Sequence, residues 1–412
     1  MYENLTTEQK ILLNLTAKSI STNSPKIIFK EEELKGVNWQ AVFKEAKHQT
    51  VCPLTFSYLE EYKKYIPDSV YKEYKTFALS VVTNNYKVFN AQKELVSLIS
   101  DKCSYVIIKG QSSGVYYDKP ELRTYGDVDF LINPKYKQEL TTLLEKNGYN
   151  VSNGDHPNHI VFKKPNAHLE MHFMVAGVPY GETGEIVKSA LNSVFDSLTI
   201  KEFEGEKFSA PNDFMHGLIL LLHASHHLLG EGIGLRHLFD WGAFVERTKD
   251  KEFWQKDLLP LLDKIGLRTF AETITKVCVN YLNVSCPEFC KNASDELASE
   301  IILDVFSSGN FGSKDKNRAS SGMMISERGK DGLKHGATYN LAHTLHVAVS
   351  NMRAVKKCPI LYPFIYVYKA VRFIVLSIFK KRPSLIKMAP EAKKRKQLYK
   401  KLKIFETDKG EK

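Results

Sequence analysis

Apolar residues recur at helical spacing through the first hundred positions. Ile11, Leu12, Leu15 and Ile20 mark a helix over 7–20, and the same spacing predicts helices over 39–46, 54–65 and 70–99. The pattern changes at Tyr105. Tyr105-Val106-Ile107-Ile108 is a β-branched run ending at Lys109-Gly110, which predicts a buried strand followed by a turn, with a helix opening from Gln111. A second strand is predicted over 127–132 and a helix over 136–147, closed by Gly148. A hairpin follows, made of 160–162 and 167–173 and turning at Lys164-Pro165-Asn166. From 213 the helical period returns, over 213–229, 235–247, 254–265 and 269–282. Residues 307–331 are rich in Ser, Gly, Asn and charge and read as a long mobile loop. No internal repeat is visible. The elements predict an α+β fold in which a small mixed sheet is flanked by helical regions. The expected division is 1–100 helical, 101–210 α/β core, 211–306 helical on the substrate side, 307–331 linker and 332–412 helical and basic.

Composition narrows the class without changing that picture. A chain of 412 residues suggests two or three units at roughly 150 residues each. With 43% apolar and 25% charged residues it is neither collagen-like nor wholly disordered. Six cysteines are too sparse for a disulfide framework and suit a reducing compartment. The start MYENLTTEQK has neither the basic nor the apolar region of a secretory signal, so a cytoplasmic location is expected. Charge is unevenly placed. Of 58 basic and 47 acidic side chains, 18 and 4 fall in 351–412, which leaves 40 and 43 in the first 350 residues. A cationic tail on a near-neutral body points to an anionic partner, either a membrane surface or nucleic acid.

The candidate chemistry lies at 105–132. Asp127 and Asp129 are two apart on a strand, so both carboxylates project from one face. Such a pair repels itself unless a cation lies between, and hard oxygen ligands suit Mg2+, with Mn2+ as its substitute. Glu170, in His168-Leu169-Glu170-Met171-His172, offers a third carboxylate from another strand. Three acids on neighbouring strands can hold two divalent ions around an in-line phosphoryl displacement. Gly110, Gln111 and Ser112 open a helix whose backbone N–H groups suit a phosphate, and Lys109 and Arg123 are candidate cationic clamps. The plainer readings are Lys109 as a strand-end lysine and Arg123 as an ion-pair partner of Glu121.

Lys-Gly after a strand, then Pro120-Glu121-Leu122-Arg123-x-x-Gly126-Asp127-x-Asp129, resembles the uncharacterised bacterial nucleotidyltransferases of the polymerase-β-like superfamily. The likeness continues through Gly148-Tyr149, the strand 169–172, the helix bearing His223 and His226, and Leu235-Arg236-His237-Leu238-Phe239-Asp240, over roughly residues 30 to 380. It implies a nucleotidyltransferase-type sheet, with Asp127, Asp129 and Glu170 as catalytic metal ligands and Gly110 in the phosphate-binding turn. His172, His226 and Asp240 are then expected to line the substrate cleft. The reaction it implies moves a nucleoside monophosphate from an NTP to an acceptor that is a small molecule, a protein or RNA. The superfamily's usual Gly-Ser after the first strand is Gly110-Gln111 here.

Other readings compete. A regulatory nucleotide-binding module would use the same cleft without transfer. Gly110-Gln111-Ser112-Ser113-Gly114 also fits the G-x-S-x-G elbow of serine hydrolases, although that fold needs parallel strands where this chain is helical. His216, His223, His226, His227, His237 and Asp240 have spacings open to zinc, and the resemblance favours cleft residues instead. Cys278, Cys286 and Cys290 lack a paired C-x-x-C and read as ordinary thiols. The apolar run 359–379 could span a bilayer by length, but Lys369 and Arg372 each cost about 2.5–3.5 kcal/mol to insert. It reads either as a core helix with a solvated basic tail or as an amphipathic element at an anionic lipid surface, peripheral to the inner face of the membrane. Its interleaved Tyr362, Tyr366, Tyr368, Lys369 and Arg372 also suit RNA.

Overall fold

Five short strands carry the predicted site. In the computed structural model, which describes residues 2–20, 27–152, 158–315, 318–325, 336–350, 352–378 and 385–406, they are β1 (Tyr105–Ile107), β2 (Val128–Ile132), β3 (Asn150–Val151), β4 (His159–Lys164) and β5 (Ala167–His172). Their order is β1-β2-β5-β4-β3, with β2 and β5 parallel and the other pairs antiparallel. Chain reversal at Pro165-Asn166, where Asn166 has φ +65°, joins β4 to β5 as a hairpin, as the Lys-Pro-Asn sequence predicts.

Alternation along the strands divides the sheet's two faces between two cores. Ile107, Phe130, Ile132, Leu169 and Met171 meet Phe89, Leu95 and Ile99 of the long helix Asp68–Ile99, together with Leu140 and Leu144 of the helix Lys137–Lys146. Val106, Ile108 and Leu131 point the other way, into a larger core. That core joins N-terminal helices (Ile11, Leu12, Trp39, Phe43) to the later helices Asp213–Leu229, Leu235–Thr248, Arg268–Tyr281 and Asp295–Ser308. Each large apolar side chain buried there contributes about 1.5–3 kcal/mol. Polar contacts cross the same junction. Gln49 donates to the Val305 carbonyl (3.1 Å) and accepts from the Leu235 amide (2.9 Å).

Three elements differ from the sequence pattern. Residues 54–65 form a helix Cys52–Phe56 and then a tighter turn Leu59–Tyr65, not one continuous helix. A second hairpin, β6 (Leu198–Phe203) and β7 (Glu206–Pro211), was not signalled, because its turn is Glu204-Gly205 and not an Asn-Gly or Asp-Gly pair. The stretch 307–331 contains the helix Arg318–Ile325, where a loop was expected, and 326–331 lie outside the described residues. Buried arginines hold that helix. Arg318 pairs with Asp304, and Arg395 of the helix Leu385–Lys401 donates to the Arg318 carbonyl (3.0 Å), Ser321 (2.7 Å) and the Gly230 carbonyl (2.7 Å).

Lys201 on β6 gives a test of this packing. Its ammonium donates to Tyr116 Oη (2.8 Å), and burial lowers it to about 8 although Asp213 opposes the shift. The unfolded chain therefore binds the proton more tightly than the folded one, and stability should rise as pH climbs from about 8 to 10.4. Lys201→Met removes that penalty and loses one hydrogen bond, for an expected net gain of about 1–2 kcal/mol at pH 7. Urea unfolding at pH 7 and at about 9.5 checks it, since the gain should shrink at the higher pH.

Candidate active site

The parallel register of β2 and β5 sets Asp129 beside Glu170. Odd positions on β2 and even positions on β5 share the face toward the larger core, so Asp129, His168, Glu170 and His172 stand together. Asp127 directly precedes β2, so the strand expected over 127–132 begins one residue later and leaves Asp127 just outside it. Ligand atoms of Asp127, His168 and Glu170 all lie within 4.8 Å of one another, and so do those of Asp129, Glu170 and His172. Glu170 belongs to both groups. These clusters could hold a metal ion.

The charges in this cluster are unequal. His172 Nε2 donates to Asp129 Oδ1 at 2.8 Å and lies 3.5 Å from Glu170 Oε2, while Lys109 Nζ reaches Asp129 Oδ1 at 2.9 Å. Burial would raise the Asp129 carboxyl, but Lys109 and His172 outweigh it and hold the group well below the usual carboxylate range. Burial likewise disfavours the His172 imidazolium, and its bonds to Asp129 and Glu170 reverse that. His172 also lowers Glu170. Asp127 makes no such hydrogen bond among the described residues, and the charges of Lys109 and Arg236 lower it only in part. Burial, then the nearby Asp129 and Glu170 charges, push it up to about 6. A carboxylate destabilised by burial and by its acidic neighbours fits a bound cation, which would offset both.

Lys109 and Gly110 form the corner between β1 and the short helix Gly110–Gly114. Both have positive φ (+56° and +36°), which only glycine adopts without strain. Gly110 packs close to Asp127, since a Cβ on it would sit 3.9 Å from the Asp127 carbonyl oxygen. The corner and the carboxylates are therefore neighbours. The next two side chains turn inward. Gln111 is buried and accepts from Gln92, and Ser112 is fully buried with its hydroxyl donating to the Ile107 carbonyl. A serine in that setting is no exposed nucleophile, so the hydrolase elbow is ruled out on geometry.

Arg123 and Asp240 find each other. The guanidinium makes two bonds to the carboxylate, Nε–Oδ1 at 2.7 Å and Nη2–Oδ2 at 2.8 Å, and Tyr117 Oη donates to the same Oδ1 at 2.7 Å. Both partners are buried. Arg123, read from sequence as a phosphate clamp or alternatively as a partner of Glu121, is instead paired with Asp240.

The cationic group that sequence reasoning passed over is Arg236, inside the quoted Leu235–Asp240 motif. It is half-buried, donates only to the Thr124 carbonyl (3.3 Å), and pairs with no carboxylate among the described residues. Its charge is felt at Asp127 and at His237.

The histidines separate into groups. His216 is fully buried between the Tyr116 and Phe244 rings. His226 lies against Gly177, where φ is +89° and a Cβ would come within 2.2 Å of the Leu222 carbonyl oxygen. His223, His227 and His237 have nitrogens within 4.8 Å of one another, with His223 Nε2 and His227 Nε2 3.1 Å apart. Burial holds all three below the ordinary imidazole range, and Lys109 and Arg236 add to the effect. Gly234 N–H donates to His237 Nδ1 (3.3 Å), and the three rings could together hold a metal ion.

A protein-family model described as an uncharacterised nucleotidyltransferase matches residues 35–283. The chain belongs to that family. No curated protein matches it. The matched span takes in Lys109, both aspartates, Glu170, Arg236 and Asp240, and it ends well before the basic tail, short of the 30–380 that the motifs suggested. Membership makes the chain a transferase of the nucleotidyl class with a nucleotide substrate. The donor–acceptor pair is a separate matter.

Proposed function

We propose that the chain transfers a nucleoside monophosphate from an NTP to an acceptor hydroxyl, using Mg2+ held by Asp127, Asp129 and Glu170. The observation that carries this reading is Glu170, brought from a separate strand to within 4.8 Å of both aspartates. Bound there, Mg2+ would supply charge neutralisation for the α-phosphate and the leaving pyrophosphate. Lys109 and the Gly110 corner orient the triphosphate, and Arg236 serves as its guanidinium clamp. Arg123 and Asp240 position the segment leading into Asp127. Glu170, kept ionised by His172, takes the acceptor's proton. The acceptor oxygen bonds to the α-phosphorus, the α–β bridging P–O bond breaks, and pyrophosphate leaves with that electron pair.

The Gln111 side chain favours a second reading. It occupies the superfamily's serine position but is bonded to Gln92, which suits a nucleotide sensor that does not transfer. One experiment separates them. Purified protein is incubated with cell extract and each α-labelled NTP, and products are read by mass spectrometry alongside pyrophosphate release. A labelled adduct with stoichiometric pyrophosphate is expected. Nucleotide binding with neither would select the sensor, and no binding at all would overturn both.

A further inference from the structure

The helix Tyr362–Ile378 is apolar on two sides, and only one of them is packed. Tyr362 hydrogen-bonds His346, and Tyr366 Oη donates to the Ala342 carbonyl (3.4 Å), which lays this helix along Ala337–Ser350. The opposite side faces solvent. There Phe364 is 71% exposed, Val367 and Tyr368 59%, Val371 53% and Val375 41%. At about 100° per residue these five positions fall within an arc of about 100°. A solvated helix face normally carries charge. Here successive turns expose large apolar side chains in one continuous stripe, the mark of an interaction surface and not of scattered surface residues.

The surroundings of the stripe are cationic. Arg372 and Lys369 flank one edge and Lys356 and Lys357 precede the helix; along the sequence, 351–412 carries 18 basic against 4 acidic side chains. Apolar side chains between basic ones match an anionic headgroup layer above an acyl boundary. The other occupants fit less well. Among the described residues no helix is long and apolar enough to cross a membrane, and spanning would bury Lys369 and Arg372. Nucleic acid would use the charges and leave the three valines without a role. A second copy would bring two strongly cationic segments together.

We propose that Tyr362–Ile378 is an in-plane docking helix that holds the protein on an anionic lipid surface. This goes beyond the transferase reading and does not depend on it. The full chain is co-sedimented at about 0.1 M salt with phosphatidylcholine vesicles, with and without phosphatidylglycerol. Strong binding is expected only with phosphatidylglycerol. Phe364→Glu/Val371→Glu should weaken it at least about tenfold with an unchanged melting temperature, because both side chains are solvent-facing. Phe364→Trp, a milder change, should show a blue-shifted emission when anionic vesicles are added. Three results overturn the proposal: no sedimentation, sedimentation that survives the double substitution, or a wild-type dimer that the double substitution dissolves. RNA binding that falls with the double substitution while vesicle binding does not would also overturn it. Asp127→Asn should sediment like wild type, so failure of the transferase reading and failure of this one give different results.

Discussion

Asp129→Asn and Asp127→Asn should each cut nucleotidyl transfer by at least about 10^3, yet move stability in opposite directions. Asp129 is the counter-charge for Lys109 and accepts from His172, so an amide there leaves the half-buried Lys109 ammonium without its carboxylate and removes one of the two bonds that favour the His172 imidazolium. That variant should lose about 2–4 kcal/mol. Asp127 is a carboxylate that burial, and then its acidic neighbours, push up to about 6. Between pH 4 and 6 the folded chain binds this proton more tightly than the unfolded one, so ionisation weakens the fold as pH rises through that range. An asparagine imitates the protonated form. Asp127→Asn should therefore be more stable than wild type at pH 7 by about 1–3 kcal/mol and equally stable near pH 4. Urea unfolding at both pH values, with pyrophosphate release measured in parallel, tests the pair. Two inactive variants with opposite stability changes would be hard to reconcile with two merely structural acids. Equal destabilisation would point to exactly that.

Legibility in the sequence followed the range of the interactions. Asp127 and Asp129 could be read because alternation along a strand is local, and the strand anchor Phe130-Leu131-Ile132 is written beside them. Glu170 could be read as a third acid for the same reason. That its strand neighbours that of the aspartates followed from the chemistry of three acids and from no local pattern, since β2 and β5 are parallel and their pairing depends on chain that runs between them through β3 and β4. Arg123 and Asp240 each read as an open functional charge. They are 117 residues apart, and no local pattern announces that one neutralises the other. That contact also explains why Arg236 was missed. Arg236 and Asp240 are four apart on one helix, the spacing of a surface ion pair. Asp240 is instead taken by Arg123, which leaves Arg236 without a carboxylate beside the acidic cluster. The hairpin β6–β7 escaped because Glu204 takes a positive φ that its residue type does not advertise.

Arg123→Met alone should destabilise the protein by about 3–5 kcal/mol, and Asp240→Leu by a similar amount, because each strands a buried charge. The double substitution should recover most of that loss, since an apolar pair of similar volume replaces both charges at once. Tyr117 limits the recovery, as its hydroxyl loses the Asp240 acceptor, at about 1–2 kcal/mol. Activity should separate positioning from direct phosphate contact. The segment is already pinned by Asn85, which donates to the Glu121 (2.8 Å) and Arg123 (2.7 Å) carbonyls and accepts from the Tyr125 amide (3.0 Å), two residues before Asp127. With that clasp intact, the double variant should bind Mg-NTP within a few-fold of wild type, whereas Arg236→Met should weaken it by at least about tenfold at unchanged stability. Calorimetric titration with Mg-NTP, set beside melting curves for the four variants, decides between the two arginines. If the double variant is as stable as wild type and has lost its nucleotide affinity, Arg123 is the phosphate ligand and Arg236 is not.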